Sequence, residues 1–363
     1  MKQKKREVWV HKYFAVLLAF IFVLFISPAA LLAGEKSAEI KKTTWNDIFS
    51  GVVGNYPLSM EQTSPEPAQK NKLSIPKNWE FNAEIKRYLT SHTSYEFGSP
   101  EAPFTKPLSR LEFPVNTWWL NLDLRRTSPR WSVGGRAGLS LNRNSNQWME
   151  DSDWGPSGSV NALTNYSRNY CDIRNAFLFR GDVDVNISDW LRLPSAWEIR
   201  PLFAFQFQRF KAVAHDGVQW NYDKDTSEPL DGDAISFRQD WYTYMIGLRG
   251  SYSKNLNKNV TIKLRGEADW GPAVGYNEDH HLLRGNRFTY EKTSGQALYF
   301  STGLDMTVSK TITMGVGIDY LQIRTSGIHR WWDTAEAADQ CWSDGVKAWS
   351  DQFGLSTHIS YAF

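Results

Sequence analysis

No surplus of either charge marks this chain. Its 41 Lys and Arg nearly balance 39 Asp and Glu, leaving +2 over 363 residues. That balance offers no electrostatic footprint for a nucleic-acid partner. Cysteine is scarce: Cys171 and Cys341 are the whole complement. Two thiols cannot build a disulfide-stapled miniature fold, and none stands at the N-terminal processing site to take a lipid. In an exported chain the pair forms one bridge or stays as two free thiols, and both readings remain open. No HExxH or other spaced ligand set occurs, so no metal is expected. Long apolar runs are lacking too. Mean hydropathy is −0.48, and one segment alone has the make-up of a membrane helix. It lies at the N-terminus, where Lys2, Lys4, Lys5 and Arg6 precede an apolar run from Tyr13 to Ile26 and a small-residue stretch ending at Ala33. This is the pattern of a secretory signal peptide over 1–33, the alternative being an uncleaved anchor.

Aromatic residues, by contrast, are abundant. They form 14% of the chain, with 17 Trp, a level expected where rings line two membrane–water interfaces. Residues 34–85 are rich in Lys, Glu, Pro and Ser and read as a periplasmic or loosely ordered arm. From 86 to 363 the dominant period is two. Over 260–270, Val260, Ile262, Leu264, Ala268 and Trp270 share one face, and Lys263, Arg265, Glu267 and Asp269 share the other. An apolar face backed by a charged one does not fit a soluble sandwich core. It fits a barrel with lipid outside and water inside. The same split recurs at 177–187 and at 298–308. The fold expected is all-β: a transmembrane antiparallel β-barrel of about ten strands with long extracellular extensions. The strands are expected at 86–97, 108–126, 130–142, 175–191, 197–221, 236–254, 260–275, 287–308, 312–330 and 352–363. An even count closes such a barrel, and open edges are not tolerated in lipid. The long connections 143–174, 222–235, 276–286 and 331–351 then lie at the outer end. Both cysteines fall there, so a bridge would tie 143–174 to 331–351.

Two outer connections carry candidate chemistry. "YNEDHHLLRGNRFTY", residues 276–290, holds two acids against two histidines. Side chains at i and i+2 of an extended strand share a face, which pairs Asp279 with His281 and Glu278 with His280. If the odd positions stay inward past Gly271-Pro272 and Gly275, Asp279 and His281 face the lumen. "WMEDSDWG", residues 148–155, places Asp151 and Asp153 at the same spacing, where repulsion raises one pKa. A carboxylate–imidazole pair and a carboxylate pair on opposite walls can activate a water, with Asp279 shifting the His281 pKa upward. The bland alternatives are a solvated acidic loop, a weak cation site and polar decoration of a rim.

The motifs together resemble the omptin family of outer-membrane aspartyl endopeptidases, over about 86–363. "DHHLLRGNRFTY" resembles the family's Asp-x-His segment and the Arg-aromatic-Thr-Tyr strand after it. "MEDSDW" resembles its Asp-x-Asp-Trp pair. "TNYSR" (164–168) falls at the family spacing, and "IGLRGSY" (246–252) matches a barrel strand. The resemblance implies an outer-membrane enzyme with its site facing the exterior. There Asp279, His281, Asp151 and Asp153 would activate water to cut external polypeptides, with no metal or organic cofactor. It implies a monomeric barrel in lipid and lipopolysaccharide, the latter required for activity, with no nucleic-acid partner. Departures from the family are specific. Asn165 stands where the family has an Asp. Asn277 replaces an acid of the pocket for a basic side chain, whose second acid on the first strand corresponds here to Glu96. Of the lipopolysaccharide-binding positions, Arg209 is kept, Phe207 replaces an acid and Gly295 replaces a lysine. The rival readings are a structural or transport barrel and a surface adhesin using Trp331, Trp332, Trp342 and Trp349.

Overall fold

The computed structural model describes residues 78–98, 108–155, 162–257, 260–284, 287–308, 311–334 and 337–363. The expected signal peptide and all but the end of the expected arm lie outside these described residues. The strands are β1 (Trp79–Phe97), β2 (Ser109–Pro114), β3 (Trp118–Thr127), β4 (Trp131–Ser140), β5 (Asn144–Trp154), β6 (Leu163–Ile173), β7 (Phe177–Val185), β8 (Trp197–Asn221), β9 (Thr226–Asn255), β10 (Thr261–His281), β11 (Arg287–Thr307), β12 (Ile312–Asp333) and β13 (Ala338–Ala362). All pair antiparallel in one sheet, and β13 pairs with β1 to close it. The pairs β2/β3, β4/β5 and β6/β7 are each one strand with a short break. The thirteen segments therefore form ten staves: β1-β3-β4-β7-β8 at one level and β1-β2-β5-β6-β8 at the next, both completed by β9 to β13.

Lipid chemistry explains the lower half. Leu264, Trp270, Phe300, Leu304, Met314, Val316, Leu355 and Ile359 are all exposed, in a belt around the end where Trp79 and Phe363 lie. Burying that belt in lipid is the favourable counterpart of burying a core in water. The opposite faces of the same strands hold ions. Asp184 accepts hydrogen bonds from Ser132 at 2.6 Å, Arg249 at 2.7 Å and Arg200 at 2.9 Å. Arg180 bridges Glu267 at 2.5 Å and Asp269 at 2.6 Å. Such charges are tolerable because each is matched. Without Asp184, Arg249 keeps Glu267 at 2.6 Å but the buried Arg200 is left with Glu198 at 3.6 Å, so Asp184→Ala is expected to cost about 3–5 kcal/mol. The check is the urea midpoint of the heat-modifiable gel shift, which should fall. An unchanged midpoint would contradict it.

The upper half is longer than expected. β9 runs 30 residues, roughly 100 Å at ~3.3 Å per residue, whereas a membrane crossing takes about 9–11. The stretches 143–174, 222–235, 276–286 and 331–351, expected as loops, are largely strand: β5, β6 and the upper ends of β9, β10, β12 and β13. β1 likewise begins at Trp79, ahead of the expected boundary at 86. Above the belt the outer face meets water, so alternation fades while backbone pairing continues. The lumen here is packed across. Trp119, Phe210, Trp241, Phe113 and Phe237 are fully buried, and Gln208 on β8 and Gln352 on β13 bond each other at 2.9 and 3.0 Å. The bridge between cysteines is not formed: Cys171 is buried inside β6, Cys341 is exposed on β13, and both are free. Burial pushes the Cys171 thiol up to about 12. A thiol reagent should therefore label one cysteine in the folded protein and two after unfolding. Two labels before unfolding would contradict the packing of β6.

Candidate active site

β10 keeps one register with β11 from Thr261 opposite Thr307 to His281 opposite Arg287. Gly271-Pro272 and Gly275 do not reset it. The odd residues therefore stay inside to the strand's end. Asn277 and Asp279 are buried and His281 is half-buried. Glu278 and His280 face out, Glu278 paired with Arg238 at 2.8 Å and His280 stacked on Phe288 at 4.0 Å. Across the barrel, β5 turns Asp151 and Asp153 inward, with Ser109 Oγ 3.5 Å from Asp151 Oδ1. Asp151, Asp153 and His281 line one cleft of about 400 Å³ at the rim remote from Trp79 and Phe363. Arg284, Arg287, Asn165, Trp331 and Trp342 line it too. Asp279 lies directly beneath, with His281 Nε2 3.8 Å from its Oδ2.

Electrostatics follow from dryness. The site stands above the lipid belt, yet Asp279 is fully buried. Burial pushes its carboxyl up to about 8, Tyr95 opposes the rise by hydrogen bonding, and the nearby Glu291 carboxylate adds to it. Burial, Arg284, Arg287 and His280 push His281 down to about 3. This corrects the expectation that Asp279 raises the imidazole: burial and the neighbouring cations dominate. Asp151 is held well above the carboxylate range by burial and then by Asp153. Asp153 is raised by burial, against Ser109 and Arg284. Two crowded carboxyls of this kind disfavour a second negative charge and titrate as a pair.

Glu96 does not join them. β1 carries an extra residue between Leu89 and His92, where Thr90 takes φ 47°. Such a bulge switches the faces of everything beyond it. Glu96 is turned outward to Arg110 at 2.8 Å and Lys347 at 3.7 Å, and Tyr95 takes the inner place, donating its phenolic hydrogen bond to Asp279 Oδ2. Asn277 is inward and its amide has no hydrogen-bond partner among the described residues. Beside it on β11, Glu291 bonds His329 Nδ1 at 2.9 Å, and the ring of His329 is stacked on Phe97 at 4.4 Å. Tyr95, Glu291 and His329 were not singled out from sequence. Continuing the inward parity along "TYEK" would have found Glu291, but nothing before the bulge signals Tyr95. Arg209 faces outward over Phe177 and Phe207, held by Asp240 through two contacts of 2.6 Å. At Gly295 any side chain would meet the Arg324 carbonyl, so a lysine has no room there.

Ten closed staves, a lipid belt and an acid–imidazole cleft at one rim define a transmembrane β-barrel of the outer-membrane type. A model of the Omptin family matches residues 106–329, more than half of the chain. The chain belongs to the omptin family. Among solved structures, the outer membrane protease OmpT from Escherichia coli superposes with a TM-score of 0.68 at 16% identity, covering 80% of this chain and 98% of that one. That likeness is one of fold. The outer membrane protein OprG from Pseudomonas aeruginosa gives 0.34 at 10% identity, covering 79% and 96%. No curated protein matches the chain.

Proposed function

We propose that this chain is an outer-membrane endopeptidase that cuts polypeptides outside the cell. His281 takes a proton from water as the oxygen attacks the scissile carbonyl, and later gives it to the leaving amine. Asp279, as carboxylate, stabilises the imidazolium between those steps. Asp151 and Asp153, sharing one proton, orient the water and donate a hydrogen bond to the carbonyl oxygen. General-base assistance of this kind is worth about 10²–10⁴ in rate. The observation that carries the reading is the convergence of Asp151, Asp153 and His281 on one cleft with Asp279 beneath it.

The rivals have less support. Buried Trp119, Phe210, Trp241, Phe113 and Phe237 pack the upper lumen, which disfavours a transport role. Trp331 and Trp342, two of the four tryptophans an adhesin would use, line the cleft instead. Export by the 1–33 segment and a requirement for lipopolysaccharide, met on the wall near Arg209, belong to the same reading. Asn277 in place of an acid removes one charge that would favour a basic substrate side chain. The test is to refold the protein in lipopolysaccharide, incubate it with a peptide library and map new termini. Defined cuts are expected; intact peptides from a heat-modifiable barrel would refute the reading.

A further inference from the structure

We propose that Tyr95 is a positioning residue of the Asp279–His281 pair, its phenol fixing Asp279 Oδ2 toward the imidazole across the lumen. This rests on the function proposed above. β1 and β10 are not sheet neighbours, so the contact is tertiary and owes nothing to the ladder. Tyr95 is fully buried, its ring stacked on Phe237 at 5.7 Å and on Phe97 at 6.3 Å. Phe113 stacks behind Phe237 at 4.1 Å. A tyrosine held this way has little freedom to swing its hydroxyl elsewhere. Asp279 Oδ1 has no hydrogen-bond partner, so Tyr95 supplies the hydrogen bond the carboxyl receives among the described residues.

The groups facing Asp279 explain why one phenol matters. Glu291 on β11, backed by His329, and Asp151 on β5 disfavour a second negative charge. On its own side, His281 is flanked by Arg284 and Arg287. A buried carboxyl with no donor stays protonated, and a protonated Asp279 cannot stabilise an imidazolium. Hydrogen bonding from Tyr95 acts against burial and keeps the ionised form within reach of ordinary pH. The bulge at Thr90 is the device that delivers the phenol to this place.

The test is Tyr95→Phe, which keeps the ring stack and removes the donor. Hydrogen bonds to charged groups predict a fall of about tenfold in kcat at pH 7, with KM unchanged, and an alkaline move of the rising pH limb by about one unit. The infrared band of the protonated Asp279 carboxyl, assigned by its loss in Asp279→Asn, should titrate about one unit higher in the variant. That band reports on Asp279 whether or not the barrel cuts peptides. If it titrates identically in both proteins, Tyr95 does not position Asp279, even where His281→Ala has shown the proposed function to stand. If it moves while no peptide is cut, the proposed function alone fails.

Discussion

Alanine at Asp151 or at Asp153 should lower kcat by about 10²–10⁴ while the barrel stays folded. Each carboxyl is desolvated and raised by burial. Neither is part of the ionic network behind the lipid belt, so losing one removes an electrostatic strain rather than a support. What is lost is the water's position. One remaining carboxyl no longer shares a proton with a neighbour and cannot both accept from water and donate to a carbonyl. The two variants should be equally impaired, and the double variant should be little worse than either, because the pair acts as a unit. Turnover of a mapped peptide, with the gel shift as folding control, checks this. A single variant within a few-fold of wild type would remove the pair from the reaction.

The pH dependence is the second large effect. An imidazole at its ordinary pKa would give a limb near 6.5. With His281 pushed down to about 3 it gives none in the working range. The limb comes from Asp279, pushed up to about 8. Its carboxylate is the active form, so cleavage should rise with pH and level off above about 8. Below that the rate should fall about tenfold per unit. A plateau already reached at pH 6 would contradict this assignment.

How much of this was legible depends on which solvent met the outer wall. Where lipid lies outside and ions inside, alternation was plain: Phe177, Phe179, Leu264, Trp270, Phe300 and Leu304 are exposed, and Arg180 and Asp269 buried, as their parity required. Where water lies outside, β5 and β6 pair as strands without an apolar face to announce them, so the sequence alone shows only a long connection there. The Asp279–His281 pairing was legible because β10 holds its register through a glycine and a proline. The outward turn of Glu96 was hidden for the opposite reason. One inserted residue at Thr90 exchanged the faces of β1, and no local pattern in "LTSHTSYEF" marks a bulge. The Glu291–His329 pair is long-range, 38 residues apart in sequence, and only strand register brings it together.

The most direct test compares His281→Ala with His280→Ala on one substrate that the wild type cuts. Adjacent residues, the same substitution and the same rim isolate the side of the wall each ring faces. His281 sits in the cleft and His280 lies outside against Phe288. The account predicts that His281→Ala loses cleavage by about 10²–10⁴ with an unchanged gel shift, and that His280→Ala keeps most of it. Cleavage retained by His281→Ala and lost by His280→Ala would contradict the site.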